Sequence, residues 1–212
     1  MRESRLAEQF EDLAKQGHAA RLGMWVFLGS EILLFAGLFA LYAAYRTMYP
    51  AEFAAAAAHN NAVIGTVNTL ILITSSFTVA MSVHAVREAR PKRAFWLLVV
   101  SVAFGAAFLG LKAVEYRQHF HEGILPGAAY RFAFLPTYGA HMFFTLYYLT
   151  TGLHALHVTA GMCLLSWVAW GAYRERYGPD DYTHVDLGGL YWHLVDVIWI
   201  FLWPLLYLLR AE

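Results

Sequence analysis

GMWVFLGSEILLFAGLF, from Gly23 to Phe39, decides the fold. The run is apolar with no alternation of period two, so it reads as a helix made for lipid and not as a strand. Extended to Leu22–Tyr45, it exceeds the roughly 20 residues that cross a hydrocarbon layer. Yet Glu31 stands inside it, about 14 Å in at about 1.5 Å per residue. Charge in a bilayer costs about 2.5–3.5 kcal/mol on insertion scales, so this carboxyl must be neutral or paired with a donor. Two readings follow: a proton-linked or lipid-headgroup site, or a structural hydrogen bond between helices.

Four more stretches meet the same test: about Val63–Val86, Ala94–Glu115, Leu146–Tyr173 and Leu187–Leu209. The whole composition agrees. Of 212 residues, 59% are hydrophobic and only 14% charged, against about 25% charged in a soluble domain. Net charge is zero, so no basic field awaits nucleic acid. The single cysteine, Cys163, excludes an internal disulfide and a cysteine-built metal site. The first span is not expected to be a cleaved signal, because Glu3, Glu8, Glu11 and Asp12 precede it and the run is too long.

Lysine and arginine set the orientation. The N-terminus and the second and fourth loops hold Arg2, Arg5, Lys15, Arg21, Arg87, Arg90, Lys92, Arg93, Arg174 and Arg176. The other side has only Arg46, Arg117, Arg131 and Arg210, which places the N-terminus inside and the C-terminus outside. Trp25, Tyr45, Tyr49, Trp96, Trp170, Tyr173 and Tyr207 lie near span ends as interfacial anchors. Residues 1–20 form an N-terminal cytoplasmic segment that is amphipathic at first, with Leu6, Phe10 and Leu13 on one face; residues 21–212 are the membrane domain. Loops are short except Tyr116–Ala140, broken by Pro126, Gly127 and Pro136, and Ala54–Ala58 is a helical lead-in.

Further polar residues need placing. His154 and His157 share a face of the fourth span. Interhelical hydrogen bonding is the ordinary use of such a pair, since a metal would need more converging ligands; His157 is a candidate partner for Glu31. His193 and Asp196 repeat the spacing and could bond each other, a neighbouring arginine or lipid phosphate. Lys112 and Glu115, near the outer end of the third span, are expected to snorkel. His119, His121 and Glu122 read as a solvated loop cluster, and His84 as facing headgroups. Ala106, Gly110, Gly152, Ala155 and Gly161 would let helices approach closely. Thr74, Ser75 and Ser76 should back-bond or bridge to a neighbour. There is no P-loop, Rossmann glycine pattern or GxSxG.

Five motifs, one per span and in order, resemble a known family. They are GMWVFLGSEILLFAGLF, then NTLILITSS from Asn68, FLGLKAVEY from Phe108, TGLHALHVTAG from Thr151 and YWHLVDVIWIFLWPLLYL from Tyr191. The family is subunit III of the haem–copper terminal oxidases, in its five-helix bacterial form. Lys112 departs from its pattern, where glutamine is common.

The resemblance implies an all-α polytopic membrane protein, five helices in a two-plus-three bundle with a V-shaped lipid cleft. It implies a non-catalytic subunit of a proton-translocating cytochrome c or quinol oxidase in the bacterial plasma membrane. Haems and copper would lie in partner subunits and none in this chain, which would carry structural phospholipid. Partners would be the catalytic subunit I, subunit II and the other oxidase subunits, with a larger respiratory supercomplex left open. Carried over are Glu31 and His157 as a buried polar pair, with His154, Glu115, His193, Asp196 and Arg87 at lipid or helix contacts. The accessory protein of nitric oxide reductases, in the same superfamily, is the alternative, although aspartate tends to stand there at the position of Glu31. A free-standing haem or di-iron membrane enzyme is the reading from a different class.

Overall fold

The computed structural model describes residues 10–209, and these form helices joined by short connections. α1 (Leu13–Met48) starts where the Asp12 carboxylate accepts the Lys15 backbone N–H, 2.7 Å away, an N-cap that satisfies one of the free first-turn donors. Pro50 cannot continue α1 but suits the first turn of a new helix, so α2 (Pro50–His59) begins there. The alanine run is thus a helix of its own, burying Phe53, Ala54, Ala56 and Ala57. Asn61 caps α3 (Ala62–Arg87), accepting from Val63 and Ile64. Pro91 opens α4 (Pro91–His121), Thr137 caps α5 (Tyr138–Tyr173), and α6 (Thr183–Trp203) runs into a π-helical turn at Pro204–Leu208. The first part of the amphipathic N-terminal segment lies outside the described residues.

Five helices are long and apolar enough to cross a membrane: Lys15–Met48, Ala62–Arg87, Pro91–His121, Tyr138–Tyr173 and Thr183–Leu208. The five expected spans fall inside them, apart from Leu209 at the C-terminal edge. Each of the first four reaches beyond the apolar stretch, because a helix continues into the polar zone wherever no proline or glycine stops it.

α3, α4, α5 and α6 each pack on two neighbours and close into a four-membered ring, while α1 packs on α5 and α6 from outside. This differs from the expected two-plus-three division with its V-shaped cleft: the helices divide as four plus one. The seam of α1 explains the docking. Leu28, Phe35 and Tyr42 are buried at seven-residue intervals, with Met24, Glu31, Leu38 and Tyr45 half-buried beside them, a heptad stripe suited to a helix crossing at a shallow angle.

Glycine contacts differ from expectation in part. At Gly161 a Cβ would stand 2.8 Å from the Trp192 ring, so glycine is what admits that indole between α5 and α6. Gly110 has nothing within 4 Å of its Cβ position, and Ala106 is likewise exposed, so both face outward. The long loop after α4 is tied down. Arg131 N donates to Gly123 O, the Tyr148 hydroxyl to Ile124 O, and the Tyr130 hydroxyl to Leu135 O. Burial pushes the Tyr130 hydroxyl up to about 12.

Candidate functional sites in the helix bundle

Glu31 faces α5. Its Oε2 lies 2.8 Å from His157 Nε2, with the side chains only 16% and 10% exposed. The other ring nitrogen, Nδ1, lies 2.8 Å from the Leu153 carbonyl one turn back and must donate to it. A neutral imidazole would then have a bare Nε2, and the proton in the contact would belong to Glu31. A doubly protonated imidazole would leave Glu31 a carboxylate. In either form one proton sits between the two groups and the pair is neutral overall, which makes it tolerable at this depth. Phe35 packs edge-on against His157, and the Tyr191 hydroxyl donates to the His157 carbonyl.

The second cluster overturns the snorkelling expectation. Lys112 and Glu115 are 4% and 1% exposed. Lys112 Nζ donates to Glu115 Oε2 at 2.7 Å, to the Tyr147 hydroxyl at 2.7 Å and to the Tyr207 hydroxyl at 2.9 Å, so its three donors are all used. Tyr207 in turn donates to Glu115 at 2.9 Å. The ammonium lies 4.6 Å from the Tyr147 ring centre, with Tyr116, Trp199 and Tyr207 completing an aromatic cage. Snorkelling fails because Lys112 points into the four-helix ring. Tyr207, expected as an interfacial anchor, is fully buried for the same reason.

Other expected residues separate. His193 Nδ1 meets the Ser76 hydroxyl at 2.5 Å, and the described residues show no bond from it to Asp196. Asp196 is buried beside the Ser76 hydroxyl and has no arginine partner among the described residues. His154 is buried against the Phe108 and Trp199 rings. Of the presumed loop cluster, His119 is buried on α4, while His121 and Glu122 are exposed; Glu122 pairs with His59 at 2.6 Å, a contact across the ends of α2 and α4 that sequence separation hid. His84 is exposed and 3.2 Å from Glu88. Thr74 back-bonds to Leu70, whereas Ser75 reaches Ser101 on α4. Arg87 lies over the Tyr182 ring and 3.7 Å from Asp186, which also meets Arg21 at 3.3 Å, fastening together the start of α1, the end of α3 and the start of α6. Among the described residues, no three His, Cys, Asp or Glu side chains converge as metal ligands.

The family model described as cytochrome c oxidase subunit III matches residues 1–210. The chain belongs to the cytochrome c oxidase subunit III family. Its relatives include cytochrome c oxidase subunit 3 of Thermostichus vulcanus, 36% identical over 191 residues, covering 89% of this chain and 86% of that protein. Quinol oxidase subunit 3 of Bacillus subtilis (strain 168) is 29% identical over 201 residues, covering 92% and 90%. A probable cytochrome c oxidase subunit 3 of Mycobacterium tuberculosis (strain ATCC 25618 / H37Rv) is 30% identical over 190 residues, covering 89% and 87%. Within this subunit III family member, the Glu31–His157 contact joins α1 to α5, and the Lys112–Glu115 pair joins α4 to α5 and the turn after α6.

Proposed function

We propose that this chain is a non-redox subunit of a proton-translocating haem–copper terminal oxidase. In this reading it packs beside the catalytic subunit, holds phospholipid on its outer faces, and keeps the neighbour's proton uptake and turnover sustained. The oxidase reduces oxygen to water with electrons from cytochrome c or a quinol, and the haems and copper belong to partner subunits. The observation that carries the reading is the family match along residues 1–210. The ionisable groups inside the bundle support it, because Glu31, His157, Lys112 and Glu115 are spent on tying helices together. The excess of arginine and lysine at the end holding Arg21, Arg87 and Arg174 supports a plasma-membrane orientation with that end cytoplasmic.

The test is a purified oxidase from which this subunit has been stripped. It should begin turning over at the intact rate and then lose activity during catalysis, with a lowered proton-to-electron ratio. Unchanged durability and stoichiometry would overturn the reading.

A further inference from the structure

Among the described residues, three buried polar side chains in the four-helix ring are short of hydrogen-bond partners: Asn68 on α3, His154 on α5 and Asp196 on α6, the last with the Ser76 hydroxyl beside it. Both amide atoms of Asn68 and both ring nitrogens of His154 find no partner there, and the single Ser76 hydroxyl can serve only one of the two Asp196 oxygens. Exposure is 0%, 0% and 3%, so neither lipid headgroup nor bulk water reaches them. Trp199 links the three. Its ring centre is 5.2 Å from that of His154. Its indole N–H donates to Thr69, the residue after Asn68. Asp196 lies about one turn before it on α6.

Nearby polar groups are already engaged. The Ser76 hydroxyl, which bonds Asp196, also meets His193 Nδ1 and has no second proton to give. Thr69 donates to Gly65 O while accepting from Trp199, and Ser75 donates to Ser101 O while accepting from Trp192. A buried polar group left unsatisfied carries its whole desolvation penalty, and three at one level of a membrane bundle would be a heavy load. Interior polar groups are otherwise paired, and where protein groups do not suffice, a buried water with two to four partners does it. A metal ion is the weaker occupant, since no set of three His, Cys, Asp or Glu ligands converges among the described residues.

We propose that the ring encloses an internal water site at the level of Trp199, with ordered water hydrogen-bonded to Asn68, His154 and Asp196. The chemistry is that of a small polar ligand accepting from the amide and donating to carboxyl and imidazole. The site is independent of the role assigned to the subunit in the oxidase.

Two measurements on the intact complex decide it. A density map that resolves water should show peaks within hydrogen-bonding distance of Asp196 and His154; side chains bonded directly to protein groups with no density between them would overturn the proposal. The second compares Asp196→Leu with Asp196→Asn by the temperature at which the subunit leaves the detergent-solubilised complex. Around bound water, leucine removes a ligand and lowers that temperature, while asparagine keeps it near the parent value. In a dry core, leucine removes an unsatisfied group and leaves the temperature equal or higher, which would overturn it. If the leucine variant does not assemble, the map decides alone.

Discussion

Lys112 and Glu115 stand one helical turn apart on α4, Nζ 2.7 Å from Oε2, and both are sealed inside the bundle. An ion pair of this kind gains little over a well-packed apolar pair, but breaking it by removing one partner leaves an uncompensated charge. Lys112→Met should therefore destabilise the subunit by about 3–5 kcal/mol. Lys112→Met combined with Glu115→Leu should recover most of that loss. Thermal dissociation of Lys112→Met, Glu115→Leu and the double variant, arranged as a double-mutant cycle, measures the coupling. Additive losses would show that the two charges do not share one site.

The contact between Glu31 and His157 holds one proton, so a neutral donor can replace the carboxyl. Glu31→Gln places an amide N–H against Nε2 and should assemble normally with modest functional loss. Glu31→Lys sets a cation against the histidine with no anion nearby, and should lower the yield of assembled subunit severalfold. Yield and turnover durability of the purified complex are the readouts. A lysine variant that assembles and works like the parent would mean that Glu31 faces lipid.

Most of the scaffold was legible because membrane helices announce themselves by length and apolarity. The five spans were readable for that reason. What length and apolarity do not reveal is which helix face meets which neighbour. Lys112 looked like a snorkelling residue because its depth is near a span end; only the ring geometry shows that it points at Tyr147 and Tyr207. The same blindness hid the His59–Glu122 pair and the Arg21–Asp186–Arg87 fastening, whose members lie far apart in sequence. One signal was available for the turn that holds Tyr207: it ends the last helix, and the final carbonyls of a helix must find partners outside it.

The last carbonyls of that turn, past which no helical N–H follows, find α1 and α2. The Tyr42 hydroxyl donates to Leu205 O at 2.5 Å, and Asn60 Nδ2 donates to Leu206 O at 2.9 Å. Tyr42→Phe keeps the ring in its seam and deletes only the donor, leaving a buried carbonyl unsatisfied at about 1–3 kcal/mol. Asn60→Leu should cost a similar amount. Limited proteolysis of the C-terminal turn should quicken in both variants. Unchanged cleavage rates would mean that the turn is held by Tyr207 alone.

Gly161 and Gly110 make a matched pair for the last prediction, since both are helical glycines in the membrane but only one is crowded. A methyl at Gly161 would meet Trp192 at 2.8 Å and Tyr191 at 3.2 Å, and Trp192 is fully buried and cannot swing away. Gly161→Ala should therefore cost about 1–3 kcal/mol by overpacking. Gly110→Ala meets nothing within 4 Å and should gain roughly 0.5–1 kcal/mol from lost backbone freedom in the unfolded chain. Thermal unfolding of the isolated subunit in detergent compares the two directly. If Gly110→Ala is neutral or better there but weakens retention of the subunit in the whole oxidase, the outward face of α4 is where a neighbouring helix packs.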